Sequence, residues 1–358
     1  MVEVKEGKTK LSISKIVFFN PRMKLNRDIC CAVIRELKSM EEIIFLDLLA
    51  ASGAKGLRIA NEIKCKVALN DANPKAKKLI TENAKLNKLN VKVYNKKANL
   101  LLQEIEGYNF IDLDPFGSPI PFLDNAILAL KKGGYLGVTA TDTAPLCSVH
   151  PKACLRKYGV IPLKTGFCHE VGMRILIGYI VRTCAKYEKG INCILSHYNE
   201  HYFRAYIKID NGKKKADNSL SKMGYLYYCK RCKNRVYSNG LPKDKICSCG
   251  DNFNITGPLW LGKLQEKKFV EKVFEGAYGL VDFHGLKTLQ LIIKEGDTPF
   301  YYDIHELCKL WKIPAPPMNE IIHELKNMGF EASRTHYSVT AIKTNGDVQT
   351  FKKILLNI

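Results

Sequence analysis

The sequence predicts an α/β protein in which a doubly wound parallel sheet precedes a smaller α+β domain. Short apolar segments alternate with helical segments through residues 1–210, and glycines follow the first apolar segment. Strands that alternate with helices at this spacing imply right-handed crossovers and parallel neighbours. The 358 residues are sufficient for two or three domains with full cores.

Hydrophobic runs and the residues that bound them define the elements of the predicted sheet. An apolar run over 43–49 ends in a glycine-containing turn and a helix to Ile63. Asn73 and Pro74 are typical of an N-cap and a first helical residue, so the next helix is expected over 74–87. The other predicted strands are 66–70, 91–94, 110–113 and 135–140, the other predicted helices are 122–130 and 167–186, and an antiparallel pair, 192–196 with 202–209, is expected to close one edge of the sheet.

A basic, turn-rich segment at 211–215 indicates a domain boundary. We therefore expect residues 1–210 to form the first domain and residues 211–358 the second. Within the second domain, the segment 225–255 is expected to bind a metal ion.

The last part of the chain has the pattern of a winged-helix-like module. Two short helices are predicted over 303–311 and 318–328. A hairpin of 337–343 and 349–355, turned at Asn345-Gly346, is predicted to follow them. Two helices followed by such a hairpin wing are typical of this module.

Composition restricts the class of protein. Lys and Arg number 56 against 35 for Asp and Glu, a formal net charge of +21, which favours a polyanionic partner over a merely basic surface. No stretch approaches the ~20 apolar residues of a membrane helix, and residues 1–6 lack an apolar signal segment. We expect a cytoplasmic protein with no membrane partner and no evident obligate protein partner. The 13 cysteines, an odd number, suit a reducing compartment.

Four of the cysteines have the spacing of a zinc ribbon. Cys229 and Cys232 form one short knuckle, and Cys247 and Cys249 form a second one fourteen residues later. Two knuckles can deliver four thiolates to a tetrahedral Zn²⁺ with a structural role. The alternative is a set of four reduced structural thiols. Elsewhere, the Cys168-His169 pair is interpreted as structural rather than nucleophilic.

Residues at the strand ends indicate a cofactor that contains adenosine. Gly53 and Gly56 occupy the turn after the first strand, but Ala51 replaces the first glycine of a dinucleotide-binding fingerprint, which weakens a dehydrogenase interpretation. Asp71, at the end of the second strand, is placed to accept both ribose hydroxyls. Alternatively, this carboxylate helps to cap the helix at Asn73.

The fourth strand ends in Asp114-Pro115-Phe116, which resembles the acid-proline-aromatic signature of S-adenosylmethionine-dependent methyltransferases acting on exocyclic amines. An aryl amine is a weak nucleophile because its lone pair is delocalised. Asp114 and the carbonyl of Pro115 are therefore expected to accept its N–H hydrogens, while Phe116 stacks on the base. The alternative is an ordinary Asp-Pro turn after a strand.

Longer motifs resemble the tRNA guanine-26 N2-dimethyltransferase family over nearly the whole chain. They are Phe18-Phe19-Asn20-Pro21-Arg22-Met23 with Asn26-Arg27-Asp28, Asp112 to Pro119, Thr139 to Cys147, Cys168-His169-Glu170 and Arg334-Thr335-His336. The resemblance implies a Rossmann-like methyltransferase sheet, S-adenosylmethionine as cofactor, tRNA as partner and substrate, and a C-terminal domain that helps to hold the tRNA. It also implies one or two methyl transfers to N2 of guanine 26.

The resemblance assigns individual residues as well. It implies cofactor contacts from Arg27, the turn at Gly53 to Lys55, Asp71 and Ala98, with Asp114 at the catalytic position. Two positions depart from the family pattern: Lys55 replaces an arginine in the glycine turn, and Lys97 replaces an acid before Ala98. A second class of function stays open at this point, that of a nucleic-acid-binding protein whose nucleotide fold is inactive or metabolic.

Overall fold

The structure is a computed structural model that describes residues 2–241 and 245–357. It begins with a hairpin of β1 (Val2–Glu6) and β2 (Thr9–Ile13). A loop over 14–20 and a 3₁₀ turn (Pro21–Met23) lead from this hairpin to helix α1 (Lys24–Met40). The middle of α1 is buried on all sides, so the helix is part of the core rather than a surface element.

A seven-stranded sheet forms the centre of the molecule. Its strands are β3 (Ile44–Asp47), β4 (Lys66–Asn70), β5 (Lys92–Tyr94), β6 (Phe110–Leu113), β7 (Tyr135–Ala140), β8 (Lys189–Asn199) and β9 (Tyr202–Asn211). The spatial order is β5-β4-β3-β6-β7-β9-β8, in which β3 to β7 are parallel and β9 is antiparallel to both of its neighbours. The predicted doubly wound sheet and its closing antiparallel pair are confirmed. The strand order reverses between β3 and β6, where ligands bind in open α/β sheets.

Helices cover both faces of this sheet. They are α2 (Ala54–Arg58), which continues as a π-helical turn (Ile59–Ile63), α3 (Pro74–Leu86), α4 (Ala98–Glu104), α5 (Ile120–Ala129), α6 (Thr143–Leu146), α7 (Pro151–Tyr158) and α8 (Cys168–Ala185). The Asn73 side chain accepts a hydrogen bond from the Lys75 amide at 3.0 Å, so the predicted cap of α3 is confirmed.

The segment predicted as a turn-rich boundary is helical. Helix α9 (Lys213–Leu220) begins two residues after β9 and packs against β8. Ser219 Oγ accepts a hydrogen bond from the Ile191 amide at 2.9 Å. The approach is so close that a Cβ on Gly190 would lie 2.3 Å from the Lys215 carbonyl oxygen. Burial of one face of this short basic segment therefore overrides its turn-like composition.

Next along the chain is a three-stranded antiparallel sheet, β11-β10-β12, formed by β10 (Met223–Tyr228), β11 (Arg235–Ser238) and β12 (Asn254–Trp260). Cys229 and Cys232 lie in the turn between β10 and β11, and Cys247 and Cys249 lie in the connection to β12. Residues 242–244, within the predicted metal-binding segment 225–255, lie outside the described residues. The strand pattern agrees with the predicted ribbon-like insert.

The C-terminal elements follow the order of a winged-helix module. They are α10 (Lys267–Glu275), α11 (Phe283–Lys294), β13 (Tyr302–Asp303), α12 (Ile304–Trp311), α13 (Met318–Asn327), β14 (Ala332–Arg334), β15 (Ala341–Thr344) and α14 (Val348–Asn357). Both predicted helices, α12 and α13, are confirmed. The hairpin of the module is β14 with β15, and β13 completes a three-stranded sheet.

The prediction of a strand over 349–355 is wrong, because these residues belong to helix α14. Phe351, Ile354 and Leu355 are buried at helical spacing. Asp347 Oδ1 accepts a hydrogen bond from the Thr350 amide at 2.8 Å, as an N-terminal cap would. The Asn345-Gly346 signal therefore precedes a helix rather than turning a hairpin.

One apolar core extends across the predicted domain boundary. It contains Ile177 and Val181 of α8 together with Leu259 and Trp260 of β12. A Cβ on Gly178 would lie 2.9 Å from Met223 Cε, so α8 and the ribbon are in direct contact. Among the described residues, this core is continuous across the predicted boundary. The division into residues 1–210 and 211–358 therefore stays a prediction.

A buried ionic cluster reinforces the same connection. Glu295 lies 2.7 Å from His336 Nδ1 and 2.9 Å from Lys343 Nζ, and Lys343 Nζ is also 3.3 Å from Glu170 on α8. Burial opposes ionisation of Glu295, but Lys343 and His336 hold the pKa of this carboxyl well below its ordinary value of 4.5. The cluster therefore joins the winged-helix-like module to a helix of the central sheet.

We expect Glu295→Gln to lower the free energy of unfolding by about 3–5 kcal/mol at neutral pH, because it leaves Lys343 buried beside fewer negative charges. A carboxyl whose pKa is lowered on folding stabilises the protein above its ordinary pKa and loses that effect as the pH falls. The difference from the wild type should therefore shrink below about pH 4.5, as measured by denaturant unfolding. Glu42→Gln, which breaks only an exposed pair with Lys66, is the matched control and should leave stability essentially unchanged. A difference that stays constant through acid would contradict this assignment.

Candidate active site

A cavity of about 920 Å³ lies at the carboxyl ends of the parallel strands. Its wall is formed by the segment before α1 and by the turns that follow β3, β6 and β7. The volume falls within the range typical of small-molecule sites. The position, beside the reversal of strand order, agrees with the site predicted from the sequence.

The cavity brings together most of the predicted catalytic and cofactor-binding residues. Those that line it are Arg27, Lys55, Asp71, Asp114, Pro115 and Phe116. Gly53 and Ala98 lie outside its lining. Ala98 is the first residue of α4 and is buried.

Gly53 shapes the turn after β3. Its φ is +79°, and its amide donates to the Ala50 carbonyl at 2.7 Å. A Cβ at this position would lie 3.1 Å from Leu57 and 3.2 Å from Ile80. Both the left-handed backbone and the tight packing therefore require glycine here.

Asp71 fills the capping role considered for it, and its ribose-binding role stays a prediction. One carboxylate oxygen accepts from the Asn73 amide at 2.8 Å, which is the helix-capping alternative. The other accepts from the Ala51 amide at 2.9 Å and so ties the end of β4 to the glycine turn. The carboxylate still lines the cavity, and each oxygen keeps a lone pair for a further donor.

A chain of charged side chains extends from the cavity wall into the core. Lys55 Nζ is 2.6 Å from Asp112 Oδ2 and 2.5 Å from Asp114 Oδ2. Arg204, on β9, pairs with the other oxygen of Asp112 and donates to Thr139 Oγ1 at 3.0 Å. Lys55 therefore joins two carboxylates, and the predicted cofactor contact from its ammonium competes with this pairing.

These charges set the protonation of the site. Burial opposes ionisation of Asp114, but Lys55 and Arg204 lower the pKa of its carboxyl below the ordinary range. At Asp47, at the end of β3, the nearby charges do not offset the effect of burial. Burial raises its pKa to about 7; Lys55 opposes this shift and Asp112 adds to it. At neutral pH, Asp114 is thus a hydrogen-bond acceptor, while Asp47 is partly protonated.

Arg27 lines the cavity with its guanidinium already engaged. Its Nε donates to Glu6 at 2.7 Å, and both terminal nitrogens donate to the Asn20 carbonyl at 3.2 Å. The guanidinium also lies 5.1 Å from the centre of the Phe19 ring. Arg27 thereby fixes the segment before α1 as one wall of the cavity.

The mouth of the cavity carries an exposed aromatic pair. Phe116 is 93% exposed, and its ring centre lies 5.9 Å from that of Phe18 in an edge-to-face arrangement. A phenylalanine this exposed beside a cavity offers a face for a planar ligand. Sequence reasoning assigned Phe116 this role but gave none to Phe18.

Asp47, Asp112 and Arg204 were also missed as site residues. Asp47 and Asp112 each lie at or next to the end of a predicted strand, the position that singled out Asp71 and Asp114, so a search for acids at strand ends would have found them. Arg204 gave no local signal, because its partner Asp112 is 92 residues away along the chain.

The four cysteines of the predicted zinc ribbon are brought together. Their sulfur atoms all lie within 4.8 Å of one another. The Cys229 and Cys249 sulfurs are 3.5 Å apart, as are those of Cys232 and Cys247. Zn–S bonds of about 2.3 Å in a tetrahedron give sulfur separations of about 3.8 Å, so this donor set fits a zinc ion.

Basic residues at 213–215, 230–231 and 235 fall into three groups according to their exposure and pairing. Lys214, Lys230 and Arg231 are exposed. Lys213 and Lys215 are exposed but pair with Glu188 and Asp210. Arg235, in contrast, is buried, with its guanidinium 3.4 Å from the centre of the Tyr302 ring, so it serves the core.

Comparison with known proteins gives a consistent result over the whole chain. Residues 1–356 match the N2,N2-dimethylguanosine tRNA methyltransferase family. The tRNA (guanine(26)-N(2))-dimethyltransferase of Pyrococcus furiosus is 41% identical over 99% of this chain and 98% of that protein. The enzyme of the same name from Archaeoglobus fulgidus is 40% identical over 99% of this chain and 98% of that protein.

A solved structure agrees with these relatives. Trm1 from Pyrococcus horikoshii, in complex with S-adenosyl-L-methionine, superposes with a TM-score of 0.92 and 41% sequence identity. The match covers 99% of this chain and 100% of that one. Among the described residues, no helix is both long and apolar enough to cross a membrane.

We expect Lys55→Met to lower the free energy of unfolding by about 3–5 kcal/mol, because it removes the buried cation shared by buried Asp112 and partly buried Asp114. The pKa of Asp114 should rise at the same time, since its nearest positive charge is gone. Denaturant unfolding measures the first effect. Lys186→Met removes a comparably short pair with Asp124 at the surface and should change stability by less than about 1 kcal/mol. Equal losses in the two variants would show that burial of the Lys55 pair has no energetic consequence.

Proposed function

We infer that this chain, which belongs to the N2,N2-dimethylguanosine tRNA methyltransferase family, is an S-adenosylmethionine-dependent enzyme that transfers one or two methyl groups to N2 of guanine 26 in tRNA. The observation that carries this conclusion is the position of Asp114-Pro115-Phe116. These residues line the cavity at the carboxyl end of β6, and the carboxylate is held ionised beside an exposed aromatic ring.

The cavity residues fit S-adenosylmethionine. Asp71 offers carboxylate oxygens at the end of β4, where a ribose would lie, and Phe19, Leu49 and Phe122 provide apolar walls for an adenine. Ala98 is the first residue of α4, so its amide is among those at the helix N-terminus that seek a partner outside the helix. When bound, the cofactor would supply a methyl group on a positively charged sulfur.

The work of the protein is then to position the amine. The Asp114 carboxylate and the Pro115 carbonyl can accept the two N–H hydrogens of a guanine N2 amine, which favours a tetrahedral nitrogen with an available lone pair. After the first transfer one N–H remains, and Asp114 can still hold it. Alignment of nitrogen and methyl carbon supplies most of the rate.

The electrostatics of Asp114 define which part of this chemistry it performs. A carboxylate whose pKa is lowered by Lys55 and Arg204 is a poor proton acceptor but a strong hydrogen-bond acceptor. Asp114 therefore orients the amine and stabilises the positive charge that develops on nitrogen. The proton passes to water only after the new N–C bond has formed, when the nitrogen is strongly acidic.

The aromatic pair at the mouth suits a base that has left its stack. N2 of guanine faces the minor groove, so the base must turn out of the helix to reach a methyl group held at the strand ends. Phe116 and Phe18 offer ring faces at the entrance. Stacking on such rings stabilises an unstacked base by about 1–3 kcal/mol.

Several features support tRNA as the partner. The net charge of +21 favours a polyanion. Exposed Lys214, Lys230 and Arg231 follow the last strand of the central sheet along the chain. The proposed role of residues 211–358 is to hold tRNA while residues 1–210 carry the chemistry. The alternative of a nucleic-acid-binding protein with an inactive nucleotide fold loses support, because the relatives at about 40% identity are dimethyltransferases by name.

Zinc at the four-cysteine cluster is part of the same proposal. All four tetrahedral positions would be occupied by protein sulfur, so the ion would stabilise the β10–β11 turn against the connection to β12 and leave no position for substrate. Its role is therefore structural.

We expect Asp114→Ala to reduce methyl transfer by about 100-fold or more, the usual scale for a positioned hydrogen-bonding group in catalysis. Cofactor affinity should stay within a few-fold, because Asp114 faces the amine. Nucleoside analysis of tRNA incubated with S-adenosylmethionine measures the product, and calorimetry measures cofactor binding. Asp124→Ala, at the protein surface, is the control for loss of a carboxylate. Near-normal dimethylguanosine formation by Asp114→Ala would return this residue to the role of a turn residue.

We expect the double variant Cys229→Ser/Cys232→Ser to lose one zinc ion per chain and to unfold at lower denaturant concentration, because the metal contributes to folding of such ribbons. Elemental analysis of the purified protein gives the metal content. Unchanged zinc content together with unchanged stability would support four reduced structural thiols instead.

A further inference from the structure

A second group of metal-ligating side chains lies apart from the zinc ribbon. Cys147 directly follows α6, and Cys168 and His169 are the first two residues of α8. The two sulfur atoms and one imidazole nitrogen all lie within 4.8 Å of one another. Neither the proposed methyl transfer nor the ribbon uses these residues.

A hydrogen bond and aromatic packing hold the backbone around this thiol–imidazole cluster in place. The Cys147 amide donates to the Thr143 carbonyl at 2.8 Å, which closes the last turn of α6. Phe167, the residue before Cys168, is buried with its ring centre 5.4 Å from those of both Tyr228 and Phe300. The convergence of the three ligands is thus set by packed elements.

The imidazole is oriented as a metal ligand would be. His169 stacks on Tyr198 with ring centres 4.2 Å apart and planes 15° from parallel. The backbone of Tyr337 lies beside the ring. In metal-bound histidines, a backbone partner on one nitrogen usually fixes the tautomer and leaves the other nitrogen with a free lone pair.

The cluster is accessible to solvent, which can supply a fourth ligand. Cys147, Cys168 and His169 are each half-buried, so an ion can enter from solvent. Glu306 lies beside the chain that leads into the cluster, since a Cβ on Gly166, two residues before Cys168, would lie 2.4 Å from Glu306 Oε2. Two sulfurs, one nitrogen and a fourth position open to water form a donor set that selects Zn²⁺.

We propose that Cys147, Cys168 and His169 form a second zinc site, distinct from the four-cysteine ribbon. The ion would join the end of α6 to the start of α8. Because α6 begins directly after Thr141 and Asp142, which line the cavity, the ion would also brace that wall. The His169 contact with Tyr337 extends the connection to the winged-helix-like module.

The test is the zinc content of the full-length protein, purified under reducing conditions and loaded with Zn²⁺ before removal of excess metal. We expect two zinc ions per chain for the wild type and one for Cys147→Ser. The variant Cys229→Ser/Cys232→Ser should also keep one, so loss of either site is distinguishable from loss of the other. Cys65→Ser, which alters a half-buried cysteine outside both clusters, is the control and should keep two.

Cobalt substitution keeps the proposal testable if Cys147→Ser does not fold. In wild-type protein loaded with Co²⁺, we expect sulfur-to-metal absorption from two kinds of site, one with four thiolates and one with two. In Cys229→Ser/Cys232→Ser, only the weaker two-thiolate absorption should remain, and His169→Gln should alter it. Uptake of a single ion by the wild type would overturn the assignment. So would a Cys147–Cys168 disulfide in the purified protein whose reduction does not restore binding of a second ion.

Discussion

Two buried cations and two carboxylates, which extend from the cavity wall into the core, form the interaction on which the catalytic geometry depends. Lys55 comes from α2, Asp112 and Asp114 from the end of β6, and Arg204 from β9, so the pairs exist only when all three regions are assembled. An unpaired charge at this depth would be costly, and it would be relieved by protonation of a carboxylate. Asp114 is therefore held ionised only when the antiparallel strand β9 has joined the sheet and brought Arg204 into place.

Strand β7, which lies between β6 and β9, leaves space for this arrangement. A Cβ on Gly137, in the middle of β7, would lie 2.5 Å from Arg204 Nη2 and 2.7 Å from Asp112 Oδ1. The absence of a side chain there lets the guanidinium cross from β9 to β6 over the strand between them. Asn26 of α1 reaches the same charges, with its Nδ2 3.3 Å from Asp114 Oδ2. Side chains from α1, α2 and β9 thus meet at the two carboxylates at the end of β6.

The sequence was sufficient to predict the elements whose signals are local. The strands 66–70, 110–113 and 135–140 have the predicted bounds, and the Asn73 cap is present, because apolar runs and capping residues act over a few positions. At 349–355 the turn-like Asn345-Gly346 pair outweighed the helical spacing of Phe351, Ile354 and Leu355. Asp114 could be found from its motif. The pairing of Lys55 and Arg204 with the nearby Asp112 could not be predicted, because it depends on tertiary contacts between segments that are distant along the chain.

The shared core between the sheet and the C-terminal elements has a consequence for how such a chain can change over evolution. Glu170 of α8 accepts a hydrogen bond from the Phe300 amide at 2.7 Å, and Arg174 donates to the Trp260 carbonyl at 2.8 Å. Substitutions on one side of this contact alter the fitness of substitutions on the other. The two halves are thus constrained to diverge together, and a chimaera that takes each half from a different relative would inherit mismatched partners along α8.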